Sequence, residues 1–304
     1  MPEITQILDS MRYIIGIKGV WLYAPNKKLY IDSEASEEKS EKIAPELLRI
    51  YSSALTVALH LEYTLEYMVI EGTHEKLILM PISNEKSRKG LIGFWVYQRV
   101  SVTELFPLLK EHFEKLKNII ADEKSLTLES NLNTMSQTVL GFQSSSLSFQ
   151  QINKTPPILD LIEDFRRYLN VGTEFVSLGA LDYLLYLNAS YSDKKSQAIN
   201  QIVLLMGIMC SNLLSSRFNA NLDEPVEIHL KFQNRDLFYQ AINNNQGWIV
   251  VILRTGSHKL ELLKMWIQAN ATRIRESISV PTETWARQKH QIINQLNALK
   301  KLLE

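Results

Sequence analysis

The sequence predicts an α+β protein made of two similar halves, each a five-stranded, mainly antiparallel sheet crossed by one long helix. Three observations carry that prediction. At 3.6 residues per turn, Ile43, Leu47, Ile50, Ala54, Val57, Ala58 and Leu61 share one helix face, with Leu48, Tyr51, Leu55 and Leu59 beside it. Short β-branched and aromatic runs flank that helix, two before it and three after. The same order recurs about 155 residues further along, with little residue identity.

Taken in order, Ile4, Ile7, Leu8, Met11, Ile14 and Ile15 fall at helical spacing and predict a helix over Pro2 to Ile14, ended by Gly16 and Gly19. Val20 to Tyr23 and Lys28 to Asp32 form a hairpin turned at Pro25 and Asn26. The acidic stretch Ser33 to Glu41 leads into the long helix, whose apolar arc is about 200° wide where a helix lying on one sheet needs about 100°. Only Glu46, Arg49, Ser52, Ser53, Thr56 and His60 make a polar strip, so this helix calls for two apolar partners. Strands at Tyr67 to Ile70, Lys76 to Ile82 and Leu91 to Tyr97 follow, and a helix over Thr103 to Ile120 closes the first half.

The second half opens with a helix at Pro157 to Leu169 and a hairpin of Phe175 to Ala180 with Tyr183 to Asn188, turned at Leu181 and Asp182. A long helix from Asp193 to Phe218 comes next, apolar on every side from Ile202 to Cys210. Strands at Val226 to Phe232, Leu237 to Ile242 and Trp248 to Arg254 precede a helix over His258 to Ile278. Two such long helices are expected to pack on each other, each covering the face that the other's sheet leaves open.

Between the halves, Asn131 to Asn153 carries no charge and is rich in Ser, Asn, Gln and Thr, which suits an interdomain linker. Beyond Pro281, Trp285, Lys289, Ile292, Leu296, Leu299 and Leu303 alternate four and three residues apart, the spacing of a coiled-coil seam. That helix would pack back on the second domain or serve a partner. The expected organisation is therefore domain 1 at 1–124, a linker at 125–155, domain 2 at 156–279 and an amphipathic C-terminal helix at 280–304.

Composition limits the function. Lys plus Arg and Asp plus Glu are 33 each, so no basic surplus points to nucleic acid or an anionic membrane. The longest apolar stretch, Ile202 to Leu214, is shorter than the roughly 20 residues that span a bilayer, and no integral membrane segment is expected. Cys210 is the single cysteine, which suits a reducing compartment, and a cytoplasmic location is expected. No G-x-x-x-x-G-K-[ST] or G-x-G-x-x-G loop is present to cradle phosphate. The six histidines show no metal-ligand spacing, and no serine sits in a G-x-S-x-G elbow. Neither an enzyme nor a cofactor is expected. Trp95, Trp248 and Trp266 would floor a pocket or, more simply, fill core, and Glu111 with His112 reads as a solvated helix face. Arg99, with Arg88 and Lys89, makes a small basic spot beside the last hairpin of the first half.

The first half also resembles the roadblock/LC7 family in its wording: "GIKGVWLYAP", "KLYIDS", "LLRIYSSALTVALHLEY", "EYMVIEG", "EKLILMPIS" and "GLIGFWVY". The second half is similar in element order. The resemblance implies two roadblock/profilin-like domains that associate, within one chain or as a homodimer, through the long helix and the strand after it. The residues it assigns to that surface are Leu48, Tyr51, Leu55, Leu59, Tyr67, Val69, Leu205, Met209, Val226, Ile228 and Leu230, with Tyr67 to Ile70 pairing with Val226 to Phe232. Trp285, Ile292, Leu296, Leu299 and Leu303 form the candidate partner helix. It implies a non-enzymatic adaptor or regulator of a Ras-like small GTPase. The alternatives are a tandem small-molecule sensor of the PAS or GAF type and a structural subunit of a larger complex. The absence of Gly and Pro from Glu46 to Leu61 favours one continuous crossover helix, and with it the adaptor.

Overall fold

The computed structural model describes residues 2–24, 27–32, 47, 50–59, 61–84, 87–121, 161, 164, 167, 173–180, 185–188, 227–242, 247–254 and 257–278. The fold is α+β, with antiparallel strand pairing throughout both sets of strands. Among the described residues the chain divides into two compact units. One takes in the residues up to Ser52 and from Glu66 through the end of the following helix; the other takes in Ser53–Leu65 and the residues described from Leu161 onward.

In the first unit, α1 (Pro2–Arg12) precedes the hairpin β1 (Ile17–Ala24) and β2 (Lys27–Asp32). The crossover helix α2 is described over 50–59, its residues from Ser53 onward belonging to the second unit. Then come β3 (Leu65–Glu71), β4 (Glu75–Asn84), β5 (Ser87–Tyr97) and α3 (Val102–Ala121). The strands pair in the order β2-β1-β5-β4-β3. The strands outrun their sequence estimates, because polar ends such as Glu75 and Ser87 continue the ladder when a partner supplies hydrogen bonds. The gap expected between the strands ending at Ile82 and starting at Leu91 accordingly shrinks, with Asn84 and Ser87 already paired.

Period two sorts the strand residues onto two faces. Ile17, Val20, Leu22, Val69, Ile78, Ile82, Ile92, Phe94 and Val96 face α1 and α3, meeting Ile4, Leu8 and Met11 from one helix and Leu105, Leu109, Phe113 and Leu116 from the other. Phe94 and Phe113 meet edge to face at 5.7 Å. Each fully buried Leu or Phe here contributes about 1.5–3 kcal/mol against exposure. The opposite face is equally dry: Met68, Ile70, Leu77 and Leu79 are fully buried.

In the second unit, helical positions at 161, 164 and 167 precede β6 (Thr173–Ala180) and β7 (Leu185–Asn188). They are followed by β8 (Glu227–Phe232), β9 (Arg235–Ile242) and β10 (Gly247–Arg254). Their order, β8-β9-β10-β6-β7, is that of the first unit's strands. The expected helix over His258 to Ile278 is two helices, α4 (Ser257–Ala269) and α5 (Ala271–Ile278). Asn270 lies between them, and its side-chain amide donates to the Trp266 carbonyl at 3.0 Å, adding a side-chain claim on an acceptor that the helix backbone also uses. The linker, the second long helix with Cys210, and the C-terminal helix lie outside the described residues.

Candidate association surface

Every described position of α2 from Ile50 to Ala58 is buried, including Ser52, Ser53 and Thr56. Of the polar strip expected there, Ser52, Ser53 and Thr56 are therefore interior, and Glu46, Arg49 and His60 lie outside the described residues. Small hydroxyl side chains permit this, since they take little volume and can be satisfied locally. Of the residues assigned to association, Tyr51 and Leu55 are buried, whereas Leu59 is 54% exposed.

The helix ends in a two-bond cap. Glu62 donates its backbone N–H to the Leu59 carbonyl at 3.0 Å, and Tyr63 donates to the Ala58 carbonyl at 2.9 Å. This is the Schellman arrangement, and Glu62 occupies its left-handed position at φ 58°. Glycine is the usual residue there, because a Cβ in that conformation costs about 1–2 kcal/mol. The cap directs Tyr63 onto the β8–β9 hairpin. Its ring lies 5.5 Å from that of Phe232, and the Arg235 guanidinium sits 5.5 Å from its centroid. All three belong to the second compact unit.

β8 alternates strictly. Ile228, Leu230 and Phe232 are buried on the face that carries the Tyr63 contact, and Glu227, His229 and Lys231 are half-buried on the other. The second face is organised by charge. Lys264 of α4 pairs with Glu227 at 2.8 Å and lies 6.0 Å from the Phe238 ring. Asp236, 9% exposed, receives Lys231 Nζ at 3.0 and 3.2 Å and has His229 Nε2 2.9 Å from Oδ1. Burial pushes the Asp236 carboxyl up, but the hydrogen bonds and charges of His229 and Lys231 outweigh it and hold the group below its ordinary value.

Tyr67 and Val69 face the helices of the first unit. Val69 belongs to the core beneath α1 and α3, and Tyr67 packs edge-on against Phe106 at 4.8 Å. Leu48, Leu205, Met209, Val226, Trp285, Ile292, Leu296, Leu299 and Leu303 lie outside the residues whose side chains are described.

The first unit has a polar centre that the sequence did not announce. Glu75, 7% exposed, accepts from the Lys18 ammonium and from the Trp95 indole N–H. Trp95 therefore carries a structural hydrogen bond, and Trp21 leans on it at 6.1 Å. Trp21 also lies over Gly93, where any Cβ would come within 2.5 Å of the indole. Trp266 is buried in core. Arg99 follows the end of β5, and Arg88 and Lys89 stand at its start. His112 is half-buried with its Nδ1 away from solvent, so only Glu111, paired with Lys115 at 2.7 Å, is a solvated face.

Among the described residues no cluster of His, Cys, Asp or Glu has the makings of a metal site, and no helix is long and apolar enough to cross a membrane. Compared with known proteins, the chain matches no family model and no curated protein.

Proposed function

We propose that the chain is a non-enzymatic interaction protein that regulates or adapts a Ras-like small GTPase, through tandem roadblock-like domains paired as in a family dimer. The observation that carries this reading is the recurrence of one strand order in both sets of strands. Two copies of one unit in a chain supply in tandem what a dimer supplies with two chains. The grouping of Ser53–Leu65 with the second unit supports the same idea, since the long helix and the strand after it are the family's dimerising elements.

The sensor alternative needs a hollow lined by broken helices. The described run 50–59 is unbroken and buried from Ile50 to Ala58, which favours an assembly helix over a pocket wall. A cytoplasmic setting follows from the proposed partner.

The test is retention of small GTPases from native lysate on the immobilised full chain, loaded in parallel with GDP or a non-hydrolysable GTP analogue. A GTPase retained in one nucleotide state and released in the other is the expected result. Recovery of a bound metabolite with no GTPase in either state would overturn the reading in favour of a sensor.

A further inference from the structure

The geometry points to a docking surface on the first unit for an acidic peptide segment that carries an apolar side chain. It is built where α1 turns into β1. Ile15 is 94% exposed and Tyr13 74%, while Ile14, between them, is packed against the core. A single exposed apolar residue is ordinary; a group of them held rigidly is not.

The turn is rigid for identifiable reasons. Ile14 donates its backbone N–H to Met11 and Ile17 donates to Ile14, both at 3.1 Å. Tyr97, at the end of β5, donates to the Gly16 carbonyl at 3.1 Å, which sets that 44%-exposed tyrosine next to the turn. Gly16 has φ 96°, and a Cβ there would come within 2.5 Å of Val100, so both conformation and space demand glycine. Ile15 is thus presented to solvent by a backbone that has little freedom to withdraw it. Binding to such a turn avoids most of the ordering entropy that weakens loop contacts.

Charge selects the occupant. The Arg12 guanidinium lies 5.4 Å from the Tyr13 centroid, and that of Arg99 lies 5.8 Å from the Tyr97 centroid. Each exposed tyrosine therefore carries an arginine along its ring, and both residue types are enriched at binding hot spots. Arg12 also reaches Asp9 at 3.4 Å, whereas Arg99 has no carboxylate partner among the described residues. A planar guanidinium in that position takes a carboxylate in a two-point hydrogen bond. Arg12 and Arg99, with Lys18 4.6 Å from the Tyr97 centroid but already paired with Glu75, suit a short acidic segment and fall short of the about 4–8 clustered Lys or Arg that hold an anionic membrane.

This surface extends the proposed interaction role but uses first-unit residues alone. A failed GTPase capture leaves it standing, and its own failure leaves the GTPase reading standing. The test selects a displayed library of random peptides on the immobilised full chain, then measures the selected peptides against the Ile15→Ser and Arg99→Glu variants. The expected outcome is enrichment of Asp or Glu beside Leu, Phe or Trp, with binding that weakens as salt rises and falls about tenfold on each variant. Both side chains are exposed, so unfolding midpoints should stay at wild type. Peptides without that composition, or equal binding by both variants, would overturn the inference. So would variant-sensitive cosedimentation with vesicles of phosphatidylcholine and phosphatidylserine, which would assign the surface to a membrane.

Discussion

Glu71 faces Lys76 across the β3–β4 hairpin, and Lys231 faces Asp236 across β8–β9 at the same distance from the turn. The charges are exchanged between two hairpins of one topology. Their surroundings differ further: beside Glu71 on its strand face stand Val69 and Tyr67, the latter edge-on to Phe106, whereas beside Lys231 stand His229 and Glu227, the latter paired with Lys264. One hairpin is joined to its outer helix by an aromatic contact and the other by ions. The fold demands a filled sheet–helix interface and accepts either chemistry, but the ionic version holds only while every member is satisfied.

The largest expected effect follows from that condition. Asp236→Ala leaves His229 and Lys231 without their shared acceptor in a half-buried site, and should lower second-unit stability by about 3 kcal/mol, measured as the urea midpoint. A loss below the ordinary surface-pair value would mean that the ionic filling is ornamental. Tyr67→Ala is the matching deletion in the first unit. Tyr67 is only half-buried, so about 2 kcal/mol is expected from the same measurement.

Acid should separate the two hairpins next. The folded Asp236 carboxyl titrates below its ordinary value, so its stabilisation is complete above the unfolded value of about 4 and is lost as pH falls through that value toward the folded one. Amide exchange on β8 and β9 should therefore accelerate across that window, and Asp236→Asn should remove the step. Persistence of the step in the variant would assign it to another carboxylate. The smallest effect is the exchange itself. Glu71→Lys and Lys76→Glu should each cost about 1 kcal/mol, and the double variant should recover most of it, because the second hairpin already carries that polarity.

The strands were legible because alternation survives in a short window, and both halves yield the same order of elements from pattern alone. What escaped was register. Lys18, Glu75 and Trp95 meet only because β1, β4 and β5 are neighbours in one ladder, and nothing local in the sequence marks them. The pairing of Glu71 with Lys76 is hard to read for a narrower reason: a polar residue at a strand end looks like the turn it adjoins. Ser52, Ser53 and Thr56 misled by type, since a hydroxyl counts as polar yet packs like a small apolar group once its hydrogen bond is local. The turn at Ile15 could have been suspected from Tyr13 and Ile15 preceding Gly16, but its exposure depends on the bond from Tyr97, far along the chain.

The contact of Tyr63 with Phe232 has a consequence for synthesis. Ser53–Leu65 belongs to a unit whose remaining described residues begin at Leu161, so Tyr63 leaves the ribosome well before Phe232 exists. At translation rates of about 5–20 residues per second, that interval is roughly 10–30 seconds. Nascent chains halted before β8 should therefore engage holding chaperones through this stretch, and completion of the β8–β9 hairpin should release them.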